Sequence, residues 1–168
     1  MNCDEAFLWK ARDLIDHEGA LLRTGQYRSW LDLFTADGRY WLPVSPTQTD
    51  WKTGPSHINE ARPALDARIE RLYDQRVVPQ TPPSRVSRLV GKPWLARVSE
   101  SVVEVAVTFH VVEARAIPGA EDTLRLFAGD ATYSLVHDDS GFKTLRIQSK
   151  RVDLINSESA FFGVSILL

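Results

Sequence analysis

Residues 103–111, VEVAVTFHV, decide the fold class, because an apolar side chain stands at every odd position. A period of two is typical of a strand with one buried face, here formed by Val103, Val105, Val107, Phe109 and Val111. Residues 124–136 and 142–155 have the length and composition of two more long strands, and residues 84–92 predict a shorter one. The back half of the chain therefore predicts an antiparallel sheet.

The strand at 142–155 changes parity along its length. Leu145 and Ile147 are apolar at odd positions, whereas Val152 and Leu154 are apolar at even positions. One extra residue in a strand makes a β-bulge, which bends the strand and curls the sheet. We therefore expect a bent sheet, with a hairpin turn at residues 137–141 leading into this strand.

The front half predicts helices. Apolar residues recur at helical spacing from about Asp4 to Arg23, with Gly25 as the terminator, and again over residues 27–34. A third helix carries Leu65, Ile69 and Leu72 on one face, with Pro63 in its first turn. The order predicts a single α+β domain over residues 1–168, with about three helices packed on one face of a curved antiparallel sheet.

The segments between these elements contain turn-forming residues. Residues 35–38, Thr-Ala-Asp-Gly, predict a turn, and residues 39–44 a short strand that Pro43 should confine to a sheet edge. Residues 45–55 contain two prolines and a glycine, and residues 76–83 contain three prolines, so both segments predict loops.

Composition excludes several classes of function. The chain has 168 residues and a net charge of -2, from 20 Lys+Arg and 22 Asp+Glu, which argues against a nucleic-acid or membrane-surface binder. Cys3 is the only cysteine, so a disulfide within the chain, a four-cysteine zinc site and an iron–sulfur cluster held by this chain alone are excluded. We expect a cytoplasmic location from the cysteine usage, the acidic first residues and the lack of an apolar run of about 18 residues.

The histidines do not suggest an iron site. A Rieske centre needs two Cys and two His, and a mononuclear iron triad needs two His and a carboxylate at one point. The four histidines are scattered over a predicted helix, loop, strand and turn: His17, His57, His110 and His137. The sequence therefore predicts no iron centre on this chain.

Several segments resemble the β (small) subunits of aromatic-ring-hydroxylating dioxygenases. The three longest are LLRTGQYRSWLDLFTADGRYWLPV at residues 21–44, RIERL at 68–72 and PPSRVSRLV at 82–90. Shorter matches are Gly129 with Tyr133, Phe142-Lys143, and RVDL at 151–154. Thr81 departs from this pattern, because the family usually carries Asp there. The motif residues that we expect at interfaces are Tyr40, Trp41, Pro82, Pro83, Ser84, Arg85 and Arg88.

The resemblance implies a cone-shaped fold of the cystatin-like or nuclear transport factor 2-like kind, related to ketosteroid isomerase and scytalone dehydratase. It implies a structural subunit without catalytic residues or cofactors, which joins other β subunits and catalytic α subunits, three of each. The α subunit of that family holds the Rieske [2Fe–2S] cluster and the mononuclear Fe(II). Electrons reach it from NAD(P)H through ferredoxin and reductase partners, and both atoms of O₂ enter an aromatic ring.

A stand-alone, metal-free pocket enzyme of the same fold is the alternative, as an isomerase, dehydratase or cyclase. Its acid or base would come from four residues: His110, Asp37, Tyr40 and Asp130. His110 would serve only if its face of the strand, shared with Glu104 and Thr108, lined a cavity. The simpler interpretation of Asp37 is that it forms part of the predicted turn at residues 35–38. We expect Asp130 to pair with an arginine rather than to be a buried acid with a raised pKa. A ligand-binding module without turnover is a third hypothesis.

Other residues suit contacts with a neighbouring chain. Five arginines fall in predicted strands, where their forked geometry fits interface carboxylates: Arg85, Arg88, Arg97, Arg146 and Arg151. A phosphate patch at Arg85 and Arg88 is disfavoured by the acidic charge balance. Three tryptophans, Trp41, Trp51 and Trp94, lie near predicted loops or edges. The apolar tail at residues 161–168 is expected to be buried against its own domain or a neighbour.

Overall fold

The computed structural model describes residues 3–73, 84–98, 102–115, 123–137, 145–159 and 166–168. The helices of these residues are α1 (Cys3–Arg23), α2 (Tyr27–Leu31) and α3 (Arg62–Tyr73). The strands are β1 (Phe34–Pro43), β2 (Ser56–Ala61), β3 (Arg85–Val90), β4 (Trp94–Val98), β5 (Val103–Arg115), β6 (Thr123–His137) and β7 (Leu145–Leu154). Four features of the sequence analysis lie outside the described residues: the predicted loop at 76–83, the hairpin tip at 138–141, the Phe142-Lys143 match and the first part of the tail.

The strands form one sheet in the order β2-β1-β7-β6-β5-β3, and β4 pairs with the other end of β5. All described pairs are antiparallel except β1 with β7, which is parallel, so the sheet is mixed. The predicted bulge is confirmed: Ser134 pairs with Ser149 and Leu135 with Ile147, which leaves Gln148 as the extra residue of β7. The predicted α+β class, with helices on one face of a curved sheet, is likewise confirmed.

Two predictions about β1 are wrong. Residues 35–38 lie within the strand, where β1 advances by five positions, from Phe34 to Arg39, while β7 advances by only two, from Ile147 to Ser149. The turn-type sequence therefore makes a bulge instead of a chain reversal. A Cβ at Gly38 would come within 2.9 Å of the Phe34 side chain and of the Thr35 oxygen, so the bulge needs a glycine there. Nor is β1 an edge strand, since it lies between β2 and β7.

Pro43 fits into the interior strand because of its position. It is the last residue of β1, at the point where the pairing with β2 shifts. Its missing N–H is thus outside the regular part of the ladder. The strands β2 and β4 were not predicted. In β2 only Ile58 is buried, and β4 has no buried residue, so neither shows the alternation that identifies a strand.

Gly25 ends α1 as predicted. Its φ of 70° lies in the left-handed region that favours glycine. The Gln26 N–H donates to the Leu21 oxygen at 2.9 Å and the Gly25 N–H to the Leu22 oxygen at 3.4 Å, the two bonds of a Schellman motif. Tyr73 at the end of α3 supports this turn, because its hydroxyl donates to the Gly25 oxygen at 3.0 Å.

The core lies between the helices and the sheet face that we call the inner face. In β5 and β6 that face consists of odd-numbered residues, and after the bulge in β7 it consists of even-numbered ones. Apolar residues of α1 and α3 such as Ile15 and Ile69 pack against it. The opposite face, which we call the outer face, carries residues such as Thr108, His110 and Thr132.

A charged cluster lies inside this apolar core. Glu18 of α1 is 2% exposed. Its Oε1 accepts hydrogen bonds from Lys150 Nζ at 2.8 Å and from Trp30 Nε1 at 2.9 Å, and its Oε2 accepts from the Tyr133 hydroxyl at 2.6 Å. Both carboxylate oxygens are therefore bonded, as a buried charge requires.

Burial controls the protonation equilibria in this cluster. It lowers the pKa of Lys150 from its ordinary value, although nearby Glu18 opposes the shift. It also raises the pKa of Tyr133 well above its ordinary value, and the Glu18 charge adds to that effect. The pKa of Tyr40 rises to about 12, mainly because its hydroxyl is buried.

The last three residues close the interior. Ile166, Leu167 and Leu168 are all buried, which confirms for them the expected burial of the tail. Lys150 Nζ donates to the Leu168 oxygen at 2.6 Å, and the Leu168 N–H donates to the Tyr40 hydroxyl at 3.1 Å. The tail thus completes the hydrogen bonding of the charged cluster.

Gly129 in β6 should tolerate no side chain. An added Cβ would lie 1.9 Å from the Asp153 carbonyl oxygen of β7, and backbone cannot move aside cheaply. We expect Gly129→Ala to lower the free energy of unfolding by about 3 kcal/mol or more, measured by urea denaturation. The matched control is Gly19→Ala in α1, where nothing lies within 4 Å. It should raise stability by about 0.5–1 kcal/mol, and equal effects of the two changes would contradict this account.

Glu18→Gln should strongly destabilise the chain, because it leaves the Lys150 ammonium buried without its anion. Breaking a buried pair from one side typically costs about 3–5 kcal/mol, and urea denaturation followed by circular dichroism measures the loss. Asp16→Asn removes the same charge from the same helix, but Asp16 belongs to an exposed pair with Arg12. That control should change stability by less than about 1 kcal/mol. A Glu18→Gln loss no larger than the control's would show that the pair is not essential to the core.

Candidate functional site: the closed interior and the outer sheet face

The interior leaves almost no free volume. The void beside the charged cluster measures about 20 Å³, roughly the space of a single water. Its lining contains the charged or phenolic groups of Glu18, Arg88, Lys150 and Tyr133. Small-molecule sites usually need about 300–1,000 Å³. A substrate of that size therefore has no room in the void beside the charged cluster.

The four residues of the pocket-enzyme hypothesis are not brought together in one cavity. Tyr40 is fully buried on the inner face and bonded to Leu168. His110 and Asp130 are exposed on the outer face, and Asp130 accepts a hydrogen bond from the Thr108 hydroxyl at 2.7 Å. Asp130 is thus exposed rather than buried, and within the described residues it does not form the arginine pair that we expected. Asp37 is exposed and accepts from the Thr35 hydroxyl at 2.7 Å.

His110 and Glu113 lie on opposite faces of β5, as their spacing predicts. His110 is exposed, whereas Glu113 is fully buried. The Glu113 carboxylate accepts from Arg125 Nε at 2.7 Å and from the Ser84 hydroxyl at 2.5 Å. Glu113 is therefore a structural acid that joins β5 to β6 and to the start of β3. Its burial was not predicted.

A polar groove of about 690 Å³ crosses one part of the outer face. Its floor includes Glu104, Ser134 and Ser149, which the strand registers place side by side. The Ser149 hydroxyl donates to the Ser134 hydroxyl at 2.9 Å, and Ser134 in turn donates to Glu104 at 3.5 Å. Asp37 and exposed Arg97 line the same groove. The groove is rich in hydrogen-bonding groups and carries charges of both signs.

The loop at residues 45–55 forms a wall of this groove. Arg151 holds it, donating to the Gln48 oxygen at 2.5 Å and to the Pro46 oxygen at 3.2 Å, while its guanidinium also pairs with Asp153. Arg39 stacks over the Trp51 ring at 3.6 Å. Loop and sheet are therefore joined by forked and stacked arginine contacts.

A second part of the outer face is apolar. It consists of five aliphatic residues with exposures of 39–81%, which we call the apolar zone: Leu89, Val112, Leu124, Leu126 and Ile155. The registers make them neighbours, since Val112 pairs with Leu126 and the Ile155 N–H donates to the Ala128 oxygen beside them. Exposed apolar patches on a sheet mark contact surfaces. The sequence carries a signal for this zone. Residues 124–127 have apolar side chains at even positions, Leu124 and Leu126, as well as at odd Phe127, so both faces of the strand are apolar there.

The motif residues divide between the interior and the surface. Arg85 is exposed, but Arg88 is largely buried and donates to the Leu167 oxygen. Trp41 is also buried, and its indole donates to Ser56 at 3.0 Å. Pro82 and Pro83 lie outside the described residues, as does Thr81. Among the other expected contact residues, Trp51, Trp94 and Arg97 are exposed, and Arg146 donates to the Asp32 oxygen.

The chain does not fit the iron centres that the resemblance assigns to the family's larger subunit. Its single cysteine cannot supply the two that a Rieske cluster needs. Among the described residues, no three His, Cys, Asp or Glu side chains come together in a group able to hold a metal. No helix in the described part of the chain is long and apolar enough to cross a membrane.

Known proteins with similar sequences include subunits named as beta subunits or as a small oxygenase component. The chain is 32% identical over 119 residues, 68% of each chain, to the N,N-dimethyl phenylurea N-demethylase subunit beta of Sphingobium sp. (strain YBL2). It is 29% identical over 144 residues to the small oxygenase component of the p-cumate 2,3-dioxygenase system of Pseudomonas putida, covering 84% of this chain and 76% of that one.

Solved structures with the same fold include the beta subunit of the benzoate 1,2-dioxygenase from Burkholderia mallei, with a TM-score of 0.68 and 24% identity over 90% of this chain and 93% of that one. A putative scytalone dehydratase from Novosphingobium aromaticivorans has a TM-score of 0.64 and 12% identity, over 95% and 91%. These likenesses confirm the predicted fold.

The family model described as "Ring hydroxylating beta subunit" matches residues 17–159, which is most of the chain. Together with the 32% identical relative, this match confirms the resemblance found in the sequence. The chain belongs to the family of ring-hydroxylating dioxygenase beta subunits.

Proposed function

We propose that this chain is a non-catalytic, structural β subunit of a Rieske non-haem iron aromatic-ring-hydroxylating dioxygenase. As a single domain of residues 1–168 in the cytoplasm, it joins other β subunits and docks the catalytic α subunits, three of each. The observation that carries the proposal is the closed interior. A charged cluster and the tail fill the space between the helices and the inner face around Glu18 and Lys150, leaving a void of about 20 Å³ there.

The cofactors and the electron path belong to the partner in this proposal. The α subunit holds the Rieske [2Fe–2S] cluster and the mononuclear Fe(II), and it receives electrons from NAD(P)H through ferredoxin and reductase partners. The relatives' names support this division, because one belongs to an N-demethylase and another to a ring dioxygenase system. Related small subunits thus belong to enzymes that catalyse different reactions. This is best explained if the small subunit is structural and the reaction takes place on another chain.

The apolar zone supplies the surface for assembly. Its five aliphatic residues are too exposed to stabilise the isolated chain, whereas burial against a partner removes their apolar area from water. A stable subunit contact needs about 800 Å² from each side, so polar residues around the zone must complete it. Arg85, at the β3 end of the zone, suits that rim because it is exposed.

Co-expression with a Rieske α chain tests the assembly. The complex should copurify with equal amounts of both chains, and native mass spectrometry should give its stoichiometry. Leu126→Asp places a charge in the apolar zone and should abolish copurification without unfolding the isolated chain. Val98→Asp is the matched control, because Val98 is 61% exposed against 62% for Leu126 but lies on β4 outside the zone. Retention of the α chain by Leu126→Asp would remove the zone from the interface.

His110→Ala tests the absence of catalytic residues. In the assembled enzyme we expect turnover to stay within a few-fold of the unsubstituted complex, because the imidazole is exposed on the outer face, apart from the buried ionisable groups of the interior. A general base contributes about 10²–10⁴ to the rate, so steady-state kinetics would reveal such a role clearly. A loss on that scale, with the complex intact by native mass spectrometry, would favour the pocket enzyme instead.

A further inference from the structure

A row of polar side chains runs across the floor of the polar groove. The strand registers align its five members, one from each of β4, β5, β6, β7 and β1: Arg97, Glu104, Ser134, Ser149 and Arg39. All five line the groove. Neighbouring strands lie about 4.8 Å apart, so the four steps of the row cover about 19 Å. An extended peptide of about six residues has that length, so the row can accommodate a short segment of polypeptide.

The groove carries charges that have no ion-pair partner in the chain. Arg97 and Arg39 are its cations of this kind, and Glu104 and Asp37 are its anions. None of these four side chains forms an ion pair within the described residues. Arg97 and Glu104 are register partners at one end of the row, and Asp37 lies two residues before Arg39 at the other. A binding partner that satisfies both ends must therefore carry charges of both signs.

Glu104 retains capacity to accept hydrogen bonds. The bond that the Ser134 hydroxyl donates to it is long, at 3.5 Å, and the Ser134 oxygen itself accepts from Ser149. A carboxylate has about four acceptor positions, and a half-buried one loses part of its hydration. Glu104 is thus suited to bind an ammonium or guanidinium group that comes from outside the chain.

The wall of the groove is fixed before any partner binds. The Asn59 side chain of β2 donates to the Trp51 oxygen at 2.7 Å, and Arg39 donates to Asn59 at 2.5 Å. The Arg39 guanidinium also stacks over the Trp51 ring. Trp and Arg are among the residue types that contribute most to binding at protein interfaces. A preformed surface of this kind lowers the entropic cost of association.

The groove and the apolar zone differ in the partner that suits them. Interfaces between copies of one chain are the more apolar class, and the exposed aliphatic residues of the apolar zone have that character. Charges without partners favour a different chain, whose acidic and basic side chains can be complementary to them and can fix its orientation. The groove is therefore better suited to a second kind of subunit than to another copy of this chain.

We propose that the polar groove docks an extended segment of the catalytic α subunit that carries both acidic and basic side chains. An acidic side chain of this segment pairs with Arg97, and a basic one pairs with Glu104. Ser134 and Ser149 bond to the segment between these contacts and Arg39. The inference rests on the proposed function, because it names the place where the partner of that function binds.

The test uses the complex with a Rieske α chain, immobilised through a tag on this chain. Arg97→Ala and Glu104→Gln each remove one charge from the groove. Each change should speed the release of the α chain by about tenfold or more, because loss of a charge pair at an interface acts mainly on dissociation. The matched controls are Arg71→Ala and Glu70→Gln, which remove the same charges from exposed positions of α3. They should leave the release rate within about twofold.

Salt provides a second measurement. Raising NaCl from about 0.05 M to about 0.5 M should speed the release of the α chain from the unsubstituted complex, since salt screens such charges. The acceleration should be smaller when Arg97→Ala and Glu104→Gln are combined. A change that only loosened the fold would leave the salt dependence in place. Arg97 is exposed, so its variant tests the groove even where Glu104→Gln lowers stability.

Each other outcome decides against the proposal in its own way. Release from both groove variants at the rate of their controls would show that the α chain docks elsewhere, while the subunit assignment would stand. Loss of self-association by the isolated variants, measured by light scattering, with the α chain retained would identify a second copy as the occupant. If the unsubstituted chain retained no α chain, the proposed function itself would be wrong, and this inference with it.

Discussion

Lys150 and Glu18 meet 2.8 Å apart in the core, 132 residues apart in the sequence, and their ion pair joins the helices to the sheet. The Glu18 carboxylate comes from α1, and its donors come from α2, β6 and β7. A buried network of this kind stabilises a structure only when every member is bonded, because each unpaired group carries its full desolvation cost. The network therefore couples α1, α2, β6, β7 and the tail to one another.

The outer face of the sheet carries the exposed side chains of the central strands. The pleat sends alternate residues of β5 and β6 to the outer face, where the registers sort them into two regions. The row of Thr108, Asp130 and Asp153 separates a polar groove, walled by the loop at 45–55, from the apolar zone. One face thus offers hydrogen-bonding and aliphatic surfaces side by side, which is the composition of a subunit contact.

Alternation of apolar and polar residues was the sequence signal that identified the long strands. It predicted β5, β6, β7 and a bulge within residues 142–155, which the structure places at Gln148, because each depends only on which side chains share a face. The parallel pairing of β1 with β7 could not be found this way, since it depends on where α3 and the later strands bring the chain. Residues 35–38 have ordinary turn chemistry, and only their neighbour β7 makes them a bulge. The burial of Glu18 and Lys150 could not be predicted, because Glu and Lys usually lie at the surface and the sequence does not show that these two pair with each other.

The motif around Arg85 and Arg88 shows why a resemblance does not by itself assign roles to residues. Both arginines belong to PPSRVSRLV, and both were expected at an interface. Their odd spacing of three places them on opposite faces of β3, so Arg85 is exposed while Arg88 enters the core. The exposed arginine suits a partner's carboxylate, whereas the buried one needs an acceptor inside its own chain. It finds one in the tail oxygen of Leu167, which ties the motif to the closed interior.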